Sequence, residues 1–543
     1  MKLLQSFLIL LILSLTFPVN IHSQKKSVGA DVITSSDLES YVRFLASPLL
    51  GGRKNGDPGL DIAQEYIVSN IKLLGLKPLN GTSYLQSYQV IRNGIDQAKS
   101  VIKITPDTRD STTVNGNIYQ FFPEEPEDII IEGEVVFAGY GLNSEKYKYN
   151  DFEGIATEGK IVLVMTRSPT SEDGTKYLFE GYDWDDFRSY SVKIRSLLFS
   201  KAKAVIFVTD PKSGFSSIEE QEPAIASAIS SSMQLKGFED PKFSLPGMMR
   251  ILFVHRNVAD ELLKRTGKTL AELQVDIDKS LRPASFPIPG KRILIDIKTS
   301  ESEITLNNIA GYIEGSDPVL KKEFIIYSGH ADHIGGSGSR INYGADDNAS
   351  GCAALLSIAE AFQSLEKKPP RSIMFLWVSG EEIGLFGSEY YVSNPLVPLE
   401  NTIADLNMDM IGRVKGVADS TSDNPMSGPD EVFVITGNQS RDLVNIAKEV
   451  DDASELDFDY SLSGRNHPLQ LFARSDHYNF VKKDIPVLFF TTGLHTDYHS
   501  PGDVVEKIDF IKMEKITEAM FQIGYNVANM KTRLKVNNPF SKW

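Results

Sequence analysis

Beyond Pro287 the chain alternates short apolar runs with amphipathic stretches, and this alternation restricts the fold more than any other feature of the sequence. The apolar runs fall at residues 293–297, 324–327, 373–378, 403–408, 432–436 and 487–490. Helix-period stretches lie between several of them; in residues 350–365, Leu355, Ile358, Ala359 and Phe362 share one helical face. Strands that alternate with helices predict an α/β fold, with a mostly parallel central sheet flanked by helices.

The preceding part of the chain differs in character. From about residue 101 to 284, short β-rich runs dominate, at 129–131, 134–138, 160–165, 204–209 and 251–255. A chain of 543 residues exceeds what one hydrophobic core usually serves. The expected organisation is a main domain in two segments, 24–100 and 285–535, interrupted by a β-rich insert at 101–284 and ending in a tail at 536–543. Near the start, Ser36-Asp37-Leu38-Glu39 reads as a capping box, with Leu38, Tyr41, Val42 and Leu45 on one face of the helix that follows. A second helix is expected over residues 60–74.

Residues 1–23 have the order of an export signal: Lys2, an apolar run over 3–19, then polar residues and the small Ser23. The run is short of the ~20 residues that a span needs. The expectation is therefore an exported protein, periplasmic or extracellular, with no stable membrane span after cleavage. A net charge of −16 argues against nucleic acid as a partner, since little would neutralise phosphates. Cys352 is the single cysteine, so no internal disulfide can form; its apolar neighbours mark it as a core residue.

The chemistry is concentrated late in the chain. Six of the eight histidines follow residue 329, and they lie beside carboxylates where the predicted strands end. His330 closes one run in Ser-Gly-His-Ala-Asp-His, and Glu381 and Glu382 follow another. Asp409 follows a third in Asn-Met-Asp-Met-Ile-Gly-Arg, and His495 and His499 follow a fourth. Carboxyl ends of strands line the ligand crevice of open α/β sheets, so these segments are expected to converge. Histidine with carboxylate is the ligand set of hydrolytic zinc sites. A two-metal site also needs a bridging carboxylate, which the segment Gly344-Ala345-Asp346-Asp347-Asn348 supplies just before a helix. His495 and His499 stand four residues apart, and spacing alone leaves either as a ligand.

These segments resemble the dizinc aminopeptidase and glutamate carboxypeptidase family of metallopeptidases. The match lies in residues 329–335, 344–351, 379–388, 407–413, 475–480 and 498–503; residues 44–53 and 59–78 are similar to the opening of its bacterial exported members. Residues 134–141, 159–165 and 203–211 resemble the protease-associated domain that many members carry as an insert. The resemblance implies two Zn2+ per chain, with other divalent ions possible. His330 and Asp409 would bind one zinc, Glu382 and His499 the other, and Asp346 would bridge them. It further implies that Asp332 orients His330, that Glu381 is the general base, and that the peptide between Asp346 and Asp347 is cis. Tyr498 would stand near the reacting carbonyl, while Asp347, His477, His495 and His333 would surround the metals or line the pocket. Asn348-Ala349-Ser350 is formally a glycosylation sequon, read here as coincidence because a glycan would block the site.

The function so implied is an exported zinc-dependent exopeptidase acting on peptide substrates. It would most resemble an aminopeptidase, with Glu381 moving the proton of a metal-activated water. Arg413, Arg465 and Arg474 near the motifs keep a metallocarboxypeptidase open, because such an enzyme needs cations for the substrate carboxylate. A glutaminyl cyclase would carry one zinc, and a catalytically silent binding protein would have lost a ligand or the base. The oligomeric state is not read from the sequence.

Overall fold

The structure is a computed structural model. It describes residues 29–542 apart from 107–110, 121–127, 181–186, 199, 223–224, 227–228, 239–248, 265, 339, 418, 420–423 and 466. The expected export signal lies outside the described residues. Among those described, no helix is long and apolar enough to cross a membrane.

Four strands form the centre of the larger sheet. Ser372–Val378, Phe324–His330, Thr402–Met408 and Val487–Thr491 lie side by side in that order, all parallel. Every residue in them is buried. Strands covered on both faces favour apolar side chains at most positions, and for this reason they stand out as largely apolar runs. The buried Ser328, Asp405 and Asn407 are bonded within the sheet, Ser328 Oγ donating to Asp405 Oδ1 at 2.7 Å. On one face pack the helices Ser35–Leu45, Pro58–Leu73, Gly351–Ser364 and Phe510–Asn529, with Val42, Ile67, Leu355 and Phe521 in a shared core. On the other face Ile326, Met374, Tyr391 and Phe480 make a second core. At ~25 cal/mol per Å2 of apolar surface removed from water, burial of this kind is the main favourable term holding the strand ends in place.

On both sides the next strand runs antiparallel to the centre, and the last pair, Glu431–Ile435 with Asp457–Asp459, is parallel. Thr299–Ile313 pairs with Ser372–Val378, then come Leu85–Ile95 and Ser231–Leu235; Glu431–Ile435 pairs antiparallel on the opposite side and carries Asp457–Asp459. The sheet is thus parallel at its centre and mixed overall.

The inserted segment builds an eight-stranded sheet of its own, with cores on both faces. Its extent differs from the expected 101–284. Phe286–Ile297, expected among the main-sheet strands, pairs instead with Ile129–Phe137 and Val101–Pro106 in the insert. Ser231–Leu235 does the reverse, leaving the insert to extend the main sheet beside Leu85–Ile95. Apolar content alone cannot tell which sheet a strand joins. The first helix also begins earlier than the expected box: Thr34 is its cap, its hydroxyl accepting from the Asp37 N–H, and Ser35 opens the helix.

Cys352 is fully buried, and its thiol donates to the His330 carbonyl at 3.0 Å. Burial pushes that thiol up to about 12, so it stays protonated and behaves as core.

Candidate metal centre

All four central strands deliver a polar residue to one edge of the sheet. His330 is the last residue of its strand, Glu381 and Glu382 follow Ser372–Val378, Asp409 follows Thr402–Met408, and the His495–His499 segment follows Val487–Thr491. Between the His330 strand and the helix Gly351–Ser364, residues 344–350 carry the remaining acids.

The centre of the arrangement is Asp347. Its Oδ1 lies 3.3 Å from His330 Nε2, which is also 3.3 Å from Asp409 Oδ1. Its Oδ2 lies 3.3 Å from His499 Nε2, which is 3.0 Å from Glu382 Oε2. Donor atoms held ~2.0–2.1 Å from a tetrahedral zinc stand roughly 3.3–3.4 Å apart. The spacings therefore suit metal binding on both sides of Asp347: His330, Asp347 and Asp409 make one cluster of donors, and Asp347 and Glu382, with His333 and His499 beside them, make the other. His330, Asp347, Asp409 and Glu382 are nearly inaccessible, whereas the His499 side chain keeps 35% of its exposure.

Asp346 does not occupy the bridging place that the resemblance implied for it. Its Oδ1 accepts from the Gly412 N–H at 2.6 Å, and its Oδ2 faces His495 at 3.5 Å, on the side away from His330 and His499. Neighbouring side chains on a non-helical segment point apart, so moving the bridge by one residue moves it to the opposite face. The cis peptide is likewise one bond later, between Asp347 and Asn348. Asn348 is buried and donates to the Met408 carbonyl, which removes it as a glycan acceptor in the folded chain.

Of the two late histidines, His499 faces the centre. His495 is buried beside Asp346 and Asp503, outside the cavity. His477 is also outside it: its ring stacks on Phe489 and pairs with the Phe472 carbonyl at 2.9 Å. Burial lowers its pKa to about 3, so it is neutral. Asp332 meets His330 differently from the expected carboxylate contact. Its carbonyl is 3.2 Å from Nδ1 and its carboxylate 3.8 Å. That carboxylate instead accepts from Asn55 Nδ2 at 2.6 Å and from the Glu381 and Glu382 N–H groups, fixing the loop that bears both acids.

Those two acids have different surroundings. Glu381 lines the cavity and is pushed well above the usual carboxylate range by burial, which with the charges of Glu382, Asp409 and Asp476 prevails over the opposing His330. Glu382 is also raised by burial and by Asp347, yet His499 and His333 prevail and hold it at about 2. Paired acids driven apart in this way suit one proton carrier and one permanent anion.

Several supporting residues carry no sequence signal of the metal type. Arg53 is buried, and its guanidinium donates to the carbonyls of Leu45, Ala331, Tyr343 and Gly344, tying the His330 loop to the Asp347 loop. Asp503 accepts from the N–H groups of Asp346 and Asp347 at 3.0 and 3.1 Å. Arg53 follows two glycines in an apolar stretch, and a charged residue there was the available hint.

The cavity beside Glu381, Asp347 and Asp409 has an apolar side made by Met410, Leu471, Phe489 and Leu494, with Tyr498 and Arg474 also on its wall. Of the three arginines near the motifs, Arg474 alone lines it. Arg413 is paired with Asp497 and Asp503, and Arg465 lies over Phe540.

A family profile, that of peptidase family M28, matches residues 308–524. That match covers less than half of the chain, the part that carries the site. A probable leucine aminopeptidase of Arthroderma otae is 27% identical over 220 residues, covering 39% of this chain and 56% of the relative. The chain thus spans little more than half of that relative's length. The uncharacterized protein YfbL of Escherichia coli is 26% identical over 294 residues, covering 50% of this chain and 84% of the relative. Among solved structures, BSAP, a zinc aminopeptidase from Bacillus subtilis, is similar in fold, with a TM-score of 0.50 and 18% identity over 93% of this chain and 95% of that one.

Proposed function

We propose that this chain is a zinc-dependent exopeptidase of the aminopeptidase type, holding two ions. His330, Asp409 and Asp347 Oδ1 would hold one, and His499, Glu382 and Asp347 Oδ2 the other. The observation that carries the reading is the two-sided presentation of Asp347, each oxygen 3.3 Å from a different histidine. When bound, the ions would supply Lewis-acid activation of a water and of the scissile carbonyl.

The chain's own groups account for the remaining steps. Glu381, on the cavity wall and outside both donor sets, takes a proton from the attacking water and returns it to the leaving amine. Tyr498 stays protonated, since burial and the Asp347 and Glu382 charges raise its pKa, and its phenol can donate to a developing oxyanion. The apolar wall of Met410, Leu471, Phe489 and Leu494 takes the substrate side chain and keeps water from it. The names of the relatives support the aminopeptidase class.

The test is hydrolysis of aminoacyl-nitroanilides by zinc-loaded protein, using leucyl substrates with free and acetylated amines. Cleavage of the free amine alone, lost on chelation and restored by zinc, is the expected result. Cleavage unaffected by chelation would refute the metal-dependent reading. Arg474 on the cavity wall favours one second reading, a carboxypeptidase that pairs it with a substrate carboxylate. In that case acetylated peptides with a free C-terminus are cleaved, and Arg474→Met raises their KM.

A further inference from the structure

His333 is the histidine at the centre that the proposed function leaves without a task. Its ring is buried, and its backbone N–H donates to the Arg53 carbonyl. Space for the ring depends on Gly344, where a Cβ would stand 2.6 Å from His333 Cδ2 and the backbone has φ +61°. Nδ1 lies 2.6 Å from Glu382 Oε1 and 3.7 Å from Asp347 Oδ2.

These distances separate two roles. Two atoms sharing one tetrahedral zinc stand roughly 3.3–3.4 Å apart, so 2.6 Å is the spacing of a hydrogen bond and not of two donors on one ion. An ionised carboxylate only accepts, so the proton belongs to Nδ1. With Oε1 engaged in this way, Oε2 is the oxygen left facing His499 Nε2, at 3.0 Å. We propose that His333 is a positioning residue. Its Nδ1–H fixes Glu382 so that a single oxygen faces the ion shared with His499, and this sets how firmly that ion is held. The inference rests on the metal-dependent reading above. A hydrogen bond behind a ligating carboxylate removes its rotational freedom before the metal arrives, and losing such a partner costs about 10–100-fold in metal affinity.

The test measures zinc per chain after zinc-loaded full-length protein is equilibrated with graded dipicolinate. Wild type, His333→Ala and His333→Gln are compared. The alanine variant is expected to retain one zinc like wild type and to release the other at chelator concentrations about 10-fold lower or less. The glutamine variant, whose amide N–H can reach Glu382 Oε1, is expected to recover most of the difference. Wild-type retention of both ions by His333→Ala overturns the proposal, as does failure of His333→Gln to recover. X-ray absorption at the zinc edge of the wild type gives a check that needs no variant: two imidazoles over two zincs are expected, and three would make His333 a ligand and overturn the positioning role. Wild type that binds no zinc at all would instead refute the metal-dependent reading itself.

Discussion

Glu381→Gln is expected to leave the zinc content at the wild-type value and to lower kcat for a leucyl-nitroanilide by at least ~100-fold, the range general-base catalysis supplies. The two halves of this expectation come from separate observations. Metal retention follows because the donor atoms at 3.0 to 3.3 Å belong to His330, Asp347, Asp409, His499 and Glu382, and Glu381 is not among them. The loop survives because its anchor is the backbone: the Glu381 and Glu382 N–H groups donate to Asp332, and Gln keeps both. Turnover fails because an amide of nearly the same shape cannot take a proton. A variant that binds substrate with little change in KM while kcat collapses would place Glu381 at the transferred proton. Loss of zinc in this variant would instead move Glu381 into the donor set and leave the proton without a carrier.

The legible parts of this protein were those in which a single physical demand acts on every residue. The four central strands are buried on both faces, so each is a mostly apolar run and the His and acidic residues beyond its carboxyl end are conspicuous. Of the flanking strands, Thr299–Ile313 and Leu85–Ile95 were not read, because they mix exposed and buried positions with polar residues such as Ser300, Glu301, Ser302 and Glu303. Assignment of Phe286–Ile297 to the wrong sheet has a related cause. Its alternating burial reports one packed face but not the neighbour against which that face packs. At the site, residue type and strand ends pointed to the segments that carry His330, Glu381 and Glu382, Asp409, and His495 and His499; only the resemblance separated Glu382 from Glu381 and His499 from His495. The choice between Asp346 and Asp347 turns on backbone torsion over two residues, and composition carries no trace of that. The partners of Arg53 and Asn55 at the site were not legible for another reason: Ala331 and Asp332 lie 277 or more residues away in sequence.

That choice between neighbours yields the most direct experiment on the centre. Asp347→Asn is expected to weaken zinc binding at both positions by more than ~100-fold, beyond the cost of losing a group that merely supports a ligand. Asp346→Asn is expected to keep both ions and turnover within a few-fold of wild type. An amide oxygen can still accept from the Gly412 N–H, whereas at Asp347 the charge that would be shared between the two proposed cations has no neutral substitute. Thermal unfolding reads the difference. A ligand at 100 times its Kd stabilises the native state by about 2.7 kcal/mol per site, so zinc should raise the Tm of wild type and of the Asp346 variant and leave the Asp347 variant nearly unmoved. The pair is informative in either direction, because the two substitutions remove the same charge at adjacent positions on opposite faces of one loop. If the Asp346 variant lost zinc and the Asp347 variant kept it, the bridge would be the residue 3.5 Å from His495, and the second ion would need His495 in place of His499.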